Sequence, residues 1–408
     1  MAYSPKIKII NDPIYGFITI PVGLLYQIME HPYFQRLRRI AQLGLTYLVY
    51  PGAYHTRFHH ALGAMHLMQK AIAVLRSKNQ PVTNEEEEAV LAAILLHDIG
   101  HGPFSHALEQ SLVEGVHHET LSLQFMKALN KEMGGRLSMA IAIFQNQYPK
   151  KFLYQLISSQ LDVDRLDYLR RDSFYTGVSE GQVNTERLIT MLNVKDDNLV
   201  VDQKGIYSVE KFIVARRLMY WQVYLHKTVL AAEFLILRIV QRAREIYQPQ
   251  MPVPTVLRPF ISGAIQEQDA HLLESYALLD DYDLMAAIKE WISHPDPVLA
   301  MLCHMLLHRR LPGVQVQQQP FGKSKLEALQ KKTAHLLGIS TEEARYFTFA
   351  ESIKNTAYDT SKHRIYLLHR DGSIQDFLEA SDQDHLHSFT QSVQKNFLFG
   401  PKEILVNR

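Results

Sequence analysis

The sequence contains one cysteine in 408 residues and lacks any long uninterrupted apolar run. A single thiol excludes an intramolecular disulfide, and Cys303 lies in the apolar stretch AMLCHMLL, which is typical of a small core residue. No apolar run reaches the roughly 18 residues of a membrane-spanning helix, and the N-terminus has no signal-peptide pattern. We therefore predict a cytoplasmic protein without a membrane span.

An excess of charge of either sign is also missing. The 43 basic and 42 acidic residues leave a formal net charge of +1. This balance does not predict a general nucleic-acid-binding surface. The segments RLRRI and LHRRL could still form local basic patches, and the alternative for both is helix ends and solvated faces.

The patterning that is present is mostly helical. Apolar residues recur at helical spacing from PVGLLYQIM to about IYQPQ, and Thr83 with Glu86 forms a capping-box pattern. The sequences KIKII and FITI predict a hairpin around NDPIYG, and a second hairpin is predicted around Asp371-Gly372.

The proline-rich segment QPQMPVPTVLRP predicts a linker, because its prolines prevent a continuous helix. At its length, the chain exceeds the usual size of a single domain. We predict a mainly α fold with small β-hairpins, divided into a helical core over residues 1–250 and a C-terminal α+β region over residues 251–408.

The clearest chemical signal is the pair His97 and Asp98 in AVLAAILLHDIGHGPFSH. Adjacent helical side chains point about 100° apart, so both reach one atom only if it is shared and lies off the helix axis. A divalent metal ion meets that requirement, and imidazole with carboxylate suits several metals. The alternative for such a short pair is a buried histidine that bonds to its neighbour in a core helix.

Two further segments offer ligands. In YHTRFHHALGAMHLM either His59 or His60 fits, and His59 also shares a helix face with His66. The segment SSQLDVDRLDYLRRD supplies carboxylates, each of which alone would ordinarily be solvated; they are Asp162, Asp164, Asp167 and Asp172. Three segments with candidate His or Asp ligands, each on a predicted helix, together predict a metal site.

The phrases FQRLRRIAQLG, GAYHTRFHHALG, LLHDIGHGPFSH and SSQLDVDRLDYLRRDSFYTG, with the order H…HD…D, resemble the HD-domain deoxynucleoside triphosphate triphosphohydrolases. The resemblance covers roughly residues 8 to 230 and implies an HD-domain helical core. Matched by position, it places the metal ligands at His60, His97, Asp98 and Asp164. It also implies that Arg165 contacts phosphate.

Hydrolysis of a phosphoester needs neutralised oxygens, a positioned water and a proton for the leaving oxygen. We predict His106 as the general acid, with Glu109 one helical turn away to orient it. The resemblance implies active-site roles for His101 and His118, which we expect to hold phosphate oxygens. The alternative for His117 and His118 is a solvent-facing pair at a helix start.

A triphosphate needs cations beyond the metal, and the resemblance assigns this role to Arg57, Arg165 and Arg216. Arg165, Tyr168 and Asp172 share one helical stripe that could face phosphate, sugar and 3′-hydroxyl, although an ordinary amphipathic helix has the same spacing. The resemblance further implies that Gln42, Leu43, Tyr168 and Tyr224 surround the deoxyribose.

The predicted reaction is attack of water at the metal site on the α-phosphorus of a dNTP, releasing deoxynucleoside and triphosphate. One divalent ion is expected, from among Mn, Fe, Mg, Ni and Zn. No GxxxxGK[ST] phosphate loop occurs, which mildly disfavours cleavage at the γ-phosphate. The alternatives are another HD phosphohydrolase, acting on monophosphates or cyclic nucleotides, and a non-enzymatic nucleotide-sensing module.

The resemblance also implies regulation. Activated members bind a nucleotide between subunits, so we expect a GTP or dNTP activator and a homodimer or homotetramer. The matched positions are Asn11, Asp12, Glu30, Gln35, Arg38, His226 and Lys227.

Overall fold

The computed structural model describes residues 7–109, 111–113, 115–269, 271–360, 364–383 and 388–405, with the side chains of Ser105 and His106 left out. Within these ranges the fold is mainly α, as the sequence predicts, and small sheets accompany the helices. No helix of these ranges combines the length and the apolar character needed to cross a membrane.

The helices form the body of the molecule. In chain order they are α1 (Leu24–Glu30), α2 (Pro32–Gln35), α3 (Arg57–Ser77), α4 (Asn84–Leu96), α5 (Ser105–Leu108), α6 (His118–Glu132), α7 (Ser138–Phe144), α8 (Lys151–Ile157), α9 (Val163–Thr176), α10 (Thr185–Met191), α11 (Ile206–Met219), α12 (Lys227–Glu245), α13 (Arg258–Ile261), α14 (Leu272–Leu278), α15 (Asp281–Trp291), α16 (Pro297–Leu307), α17 (Lys323–Leu337), α18 (Phe377–Ala380) and α19 (Lys402–Leu405). Two shorter elements matter for the site, the 3-10 helix Gly44–Leu48 and the π-helical turn Tyr220–Tyr224.

The strands form three small sheets. They are β1 (Ile7–Asp12), β2 (Gly16–Pro21), β3 (Leu192–Lys195), β4 (Asn198–Asp202), β5 (Gly313–Gln317), β6 (Phe349–Asn355), β7 (Tyr366–Leu368), β8 (Ile374–Asp376) and β9 (Val393–Gly400). The sheet orders are β1-β2, β3-β4-β7-β8 and β5-β9-β6. Both predicted hairpins are present, β1 with β2 and β7 with β8, each antiparallel.

Three core helices bring the chemical side chains together. Helix α3 packs against α4 and α9, and most of its residues are buried. Helix α4 begins with the predicted capping box, in which the Thr83 hydroxyl accepts from the Glu86 N–H at 3.2 Å. It ends at Leu96, so His97 and Asp98 lie in the turn that follows.

Helix α6 is fixed directly onto this turn. The Ser122 hydroxyl accepts from the Gly100 N–H at 2.9 Å and donates to the His97 carbonyl at 2.7 Å. A Cβ at Gly100 would lie 2.2 Å from the His118 carbonyl oxygen, so only glycine permits this approach.

Proline is favoured at the first position of a helix, so Pro103 predicts a helix that starts directly after Gly102. The structure starts this helix later. Phe104 has a φ of 46°, which belongs to the left-handed region, and α5 therefore begins at Ser105. The Phe104 N–H is satisfied by Asp281 Oδ1 at 3.0 Å, a residue far along the chain.

The proline-rich segment contains no continuous helix, as predicted: α12 ends at Glu245, and α13 begins only at Arg258, near the end of the segment. The chain beyond it packs against the helical core. The largest buried cluster includes Leu284, Trp291 and Leu302 together with Leu37, Leu43 and Phe104.

Candidate metal centre and adjoining pocket

Three of the four predicted metal ligands, His60, His97 and Asp164, form one group that could hold a metal ion, and the fourth, Asp98, adjoins it. His60 Nε2 lies 3.0 Å from Asp164 Oδ1, 3.4 Å from His97 Nε2 and 3.8 Å from Asp98 Oδ2. His97 Nε2 lies 3.3 Å from both Asp98 Oδ1 and Asp164 Oδ1. Ligand atoms about 2.1 Å from an ion and at right angles to one another are roughly 3 Å apart, so the spacing of His60, His97 and Asp164 is that of ligands to a divalent cation.

The two imidazoles are oriented for this role. His60 Nδ1 lies 2.8 Å from Asp167 Oδ2, and His97 Nδ1 lies 2.7 Å from the Ile94 carbonyl oxygen. Because both partners only accept, each Nδ1 carries the hydrogen and each Nε2 presents its lone pair to the cluster. When both rings are neutral, their Nε2 lone pairs face each other at 3.4 Å and make no mutual hydrogen bond, so a cation between them would be stabilising.

Burial and hydrogen bonds together set the pKa values of His60 and Asp164. Burial opposes protonation of His60, but hydrogen bonds to Asp164 and Asp167 raise its pKa to about 10, so a proton would compete with a cation for its Nε2. Burial likewise opposes ionisation of Asp164, but hydrogen bonds from His60 and His97 hold its pKa well below its ordinary value. A bound cation would take the place of the His60 proton as the positive partner of Asp164.

His59 and His66, the alternative ligand pair, lie elsewhere. His59 Nδ1 contacts the Thr56 hydroxyl at 2.9 Å at the start of α3. The His66 ring packs against Tyr15, with 5.2 Å between the ring centroids. Among the described parts of the chain, His60 is the histidine of α3 that reaches the cluster.

A second group adjoins the first through Asp98. Arg57 Nη1 donates to Asp98 Oδ2 at 2.5 Å, and His101 Nε2 lies 3.4 Å from Asp98 Oδ1. The His101 ring stacks on His118 with 3.9 Å between centroids. Burial and the Arg57 charge hold the pKa of His101 well below its ordinary value, which favours a neutral ring.

Glu109 is bonded to His118. Its carboxylate accepts from His118 Nδ1 at 2.6 Å and from the His118 N–H at 3.2 Å. The hydrogen bond from the His118 side chain lowers the pKa of Glu109 to about 2. His106, predicted as the general acid, lies in α5, and its side chain is outside the described residues.

A cavity of about 530 Å³ opens beside the metal centre, a size typical of small-molecule sites. The predicted substrate residues that line it are Gln42, Leu43, Arg57, Arg165, Tyr168, Asp172 and Tyr224. Arg216 lies close by, since its guanidinium is 5.9 Å from the ring of Tyr220, another wall residue. Its Nη1 donates to Gln160 Oε1 at 3.0 Å.

Asp172 is held from two sides. His55 Nε2 lies 2.7 Å from its Oδ1, and the Tyr224 hydroxyl donates to its Oδ2 at 2.8 Å. Gln42 Oε1 is buried and has no partner among the described residues, so it is free to bind a ligand group. The two side chains offer polar contacts in an otherwise aromatic part of the cavity.

The sequence did not reveal the structural roles of three acidic residues. Asp167 was one of four candidate carboxylates, and it holds His60 rather than the ion. Its only sequence signal is its place one turn after Asp164 on α9. Glu233 in the cavity wall and Asp281 behind α5 carry no local motif.

The predicted activator residues lie on several elements. Asp12 Oδ2 accepts from Arg171 Nη1 at 2.8 Å, and Gln35 Oε1 accepts from Arg38 Nε at 2.8 Å. His226 caps α12 by accepting from the Thr228 N–H at 3.2 Å. The remaining positions lie in β1 (Asn11), at the end of α1 (Glu30) and at the start of α12 (Lys227).

Two segments of the chain match known protein families. The HD domain family matches residues 57–172, and the HD associated region matches residues 183–251. A solved structure of a phosphohydrolase from Bacteroides thetaiotaomicron is similar with a TM-score of 0.94 and 48% identity, covering 97% of this chain and 100% of that chain.

Two curated relatives extend the comparison. The protein YwfO of Bacillus subtilis is 30% identical over 391 residues, covering 92% of this chain and 88% of that protein. The deoxynucleoside triphosphate triphosphohydrolase SAMHD1 homolog of Dictyostelium discoideum is 34% identical over 250 residues, covering 56% of this chain and 48% of that protein. The matched segment thus spans about half the length of that triphosphohydrolase.

Proposed function

Because the chain belongs to the HD-domain phosphohydrolase family, we propose that it hydrolyses deoxynucleoside triphosphates to deoxynucleoside and inorganic triphosphate. The observation that carries the proposal is the cavity that joins the His/Asp cluster to arginines and to a tyrosine-lined wall. Such a cavity offers separate surroundings for a polyphosphate and for a nucleoside.

His60, His97, Asp98 and Asp164 would hold one divalent cation, which supplies Lewis-acid polarisation and lowers the pKa of water. Asp167 and the Ile94 carbonyl keep both histidines turned for this task. The metal identity stays open among Mn, Fe, Mg, Ni and Zn.

The chain's own groups would bind and orient the phosphates. Arg57 and Arg165 both line the cavity and carry fixed positive charge, so they suit the nonbridging oxygens. His118, bonded to Glu109, and His101 face the same space and would contact further oxygens. We assign His106 the proton that the leaving oxygen requires.

The nucleoside would lie against the tyrosine-lined wall. Asp172 and Gln42 offer polar atoms for the 3′-hydroxyl, and Tyr168 offers a ring that packs against the sugar. A ring against the sugar leaves little room for a 2′-hydroxyl, which is the steric basis of selecting deoxyribose.

The test is product analysis of the purified full chain with each dNTP and each divalent metal in turn. We expect deoxynucleoside and triphosphate, with no diphosphate intermediate. The variants His97→Ala and Asp98→Ala should lose metal and activity, whereas His271→Ala, at a 78% exposed side chain, should retain both.

Three results would contradict the proposal or its site. Release of phosphate from the γ-position would show different chemistry, and hydrolysis confined to monophosphates or cyclic nucleotides would show a different substrate. Full activity in His97→Ala would separate hydrolysis from this site.

We propose further that a GTP or dNTP activator binds between subunits of a homodimer or homotetramer. The expectation rests on family resemblance at positions such as Asn11, Gln35 and Lys227. Sedimentation velocity and initial rates with and without GTP or dATP test it; no change in either quantity would reject it.

A further inference from the structure

One charged group in the cavity wall has no task in the reaction described above. Glu233 lies on α12 and lines the cavity beside Leu230, Phe234 and Leu237. Within the described residues, no side chain or backbone N–H donates to its carboxylate. A carboxyl group that faces a cavity without a partner is available to a ligand.

The position of Glu233 relates it to the sugar-binding segment. A Cβ on Gly44 would lie 4.0 Å from Glu233 Oε1, so this oxygen stands close to the backbone at Gly44. Gly44 directly follows Gln42 and Leu43, which line the same cavity. The carboxyl group therefore lies next to the segment assigned to the deoxyribose.

The cavity wall carries charged groups of both signs. Arg57 and Arg165 stand with the metal ligands, whereas burial is the only cause that raises the pKa of Glu233, to about 8. Once ionised, this carboxylate would repel a polyphosphate, so a bound nucleotide would direct its base, and not its phosphates, toward Glu233.

We propose that Glu233 contacts the Watson–Crick edge of the base and makes guanine the preferred base; this inference rests on the proposed function. Guanine presents N1–H and the N2 amino group side by side, which matches the two oxygens of a carboxylate. Adenine and cytosine pair one amino group with a ring nitrogen lone pair, which repels the second oxygen. Thymine flanks its single N–H with two carbonyl oxygens and fits least.

The test compares kcat/KM for dGTP, dATP, dCTP and dTTP at a pH above about 8, where the free carboxyl group is ionised. We expect dGTP to be the best substrate and dTTP the poorest. The isosteric variant Glu233→Gln should lower the dGTP to dTTP ratio about tenfold or more, because an amide offers one acceptor in place of two. Glu233→Ala should lower it similarly, which guards against an effect peculiar to glutamine.

Glu245→Gln is the matched control, since it neutralises an acid on the same helix that does not line the cavity. It should keep the wild-type ratio. Thermal unfolding of each variant separates loss of folding from loss of selectivity.

Equal kcat/KM for all four dNTPs in the wild type, or an unchanged ratio in Glu233→Gln, would overturn the inference while leaving the triphosphohydrolase proposal intact. Absence of dNTP hydrolysis would reject the proposed function instead. In that case calorimetric titration with dGTP and dTTP decides, because a guanine preference lost in Glu233→Gln supports base contact and equal binding rejects it.

Discussion

His60 and His97 present the same nitrogen to the metal centre, but each is held by a different kind of partner. His97 relies on a backbone carbonyl, which no substitution removes, whereas His60 relies on the Asp167 carboxylate. Burial opposes ionisation of Asp167, but Arg171 and the hydrogen bond from His60 lower its pKa to about 2. A charged partner makes the His60 imidazole a better electron donor, so Asp167 is a positioning residue for the metal.

Asp167→Asn keeps an oxygen that accepts from His60 but removes the charge. We expect metal affinity to fall about tenfold to a hundredfold, as for other partners of metal-bound histidines. Metal content after dialysis against a graded chelator series measures this directly, and kcat should recover at high metal concentration.

Asp12→Asn provides the control for Asp167→Asn. Asp12 also pairs with Arg171, at 2.8 Å, but does not contact His60. The Asp12→Asn variant should show any loss of stability that comes from a weakened Arg171 contact, but it should keep its metal. Equal metal affinities for the two variants would contradict the role of Asp167.

The residues of the site were predictable from the sequence to different degrees. The pair His97 and Asp98 stands out by adjacency, but the choice of His60 over His59 needed the family resemblance. The structure supplies the physical reason: His59 is engaged with Thr56, and His60 faces α9. Glu233 could not be predicted, because its surroundings come from Gly44, almost two hundred positions away in the chain.

At the scale of elements, the metal centre depends on the close contact of α3 and α9. Gly63 makes this contact possible, since a Cβ there would lie 2.0 Å from Asp167 Oδ1 and 2.2 Å from Arg171 Nη2. His60 lies one turn earlier on α3, so the spacing of the two helices sets its distance to Asp164 and Asp167.

Gly63→Ala should therefore destabilise the protein, although a glycine to alanine change inside a helix ordinarily stabilises it by about 1 kcal/mol. We expect a lower free energy of unfolding in urea and reduced metal content, because the added methyl group displaces Asp167 and Arg171. Gly63→Ser should be worse than Gly63→Ala. A Gly63→Ala protein that is more stable and binds metal normally would show that the two helices separate without cost.

Elements with local signals were predicted correctly, including both hairpins and the Thr83–Glu86 capping box. The start of α5 was not, because it depends on a distant residue. The left-handed Phe104 is secured by Asp281, which no pattern around Pro103 reveals. Short elements shaped by long-range contacts are the part of the fold that periodicity does not determine.

At the scale of the whole molecule, the chain beyond the proline-rich segment is attached to the helical core by buried polar contacts. Arg36 donates to the Leu279 carbonyl at 3.1 Å and to the Ile99 carbonyl at 2.7 Å. Asp281 accepts from the Ala41 N–H at 2.8 Å and from the Phe104 N–H at 3.0 Å. Both contacts join segments that support Gln42 and α5, so the C-terminal region stabilises the cavity as well as itself.

The Asp281 contact makes stability depend on pH. Burial raises the pKa of this carboxyl group to about 7, against 3.8 for an ordinary aspartate. Between these values the folded protein binds a proton that the unfolded chain has released, so the free energy of unfolding falls as pH rises from about 4 to about 7.

Asp281→Asn removes this titrating group. The free energy of unfolding of the variant, measured in urea, should therefore depend less steeply on pH, by at most about 1.4 kcal/mol per pH unit. Asp196→Asn, at an 80% exposed side chain, should keep the wild-type slope. Parallel pH profiles for wild type and Asp281→Asn would mean that the two backbone N–H groups hold Asp281 ionised throughout, and that burial does not control it.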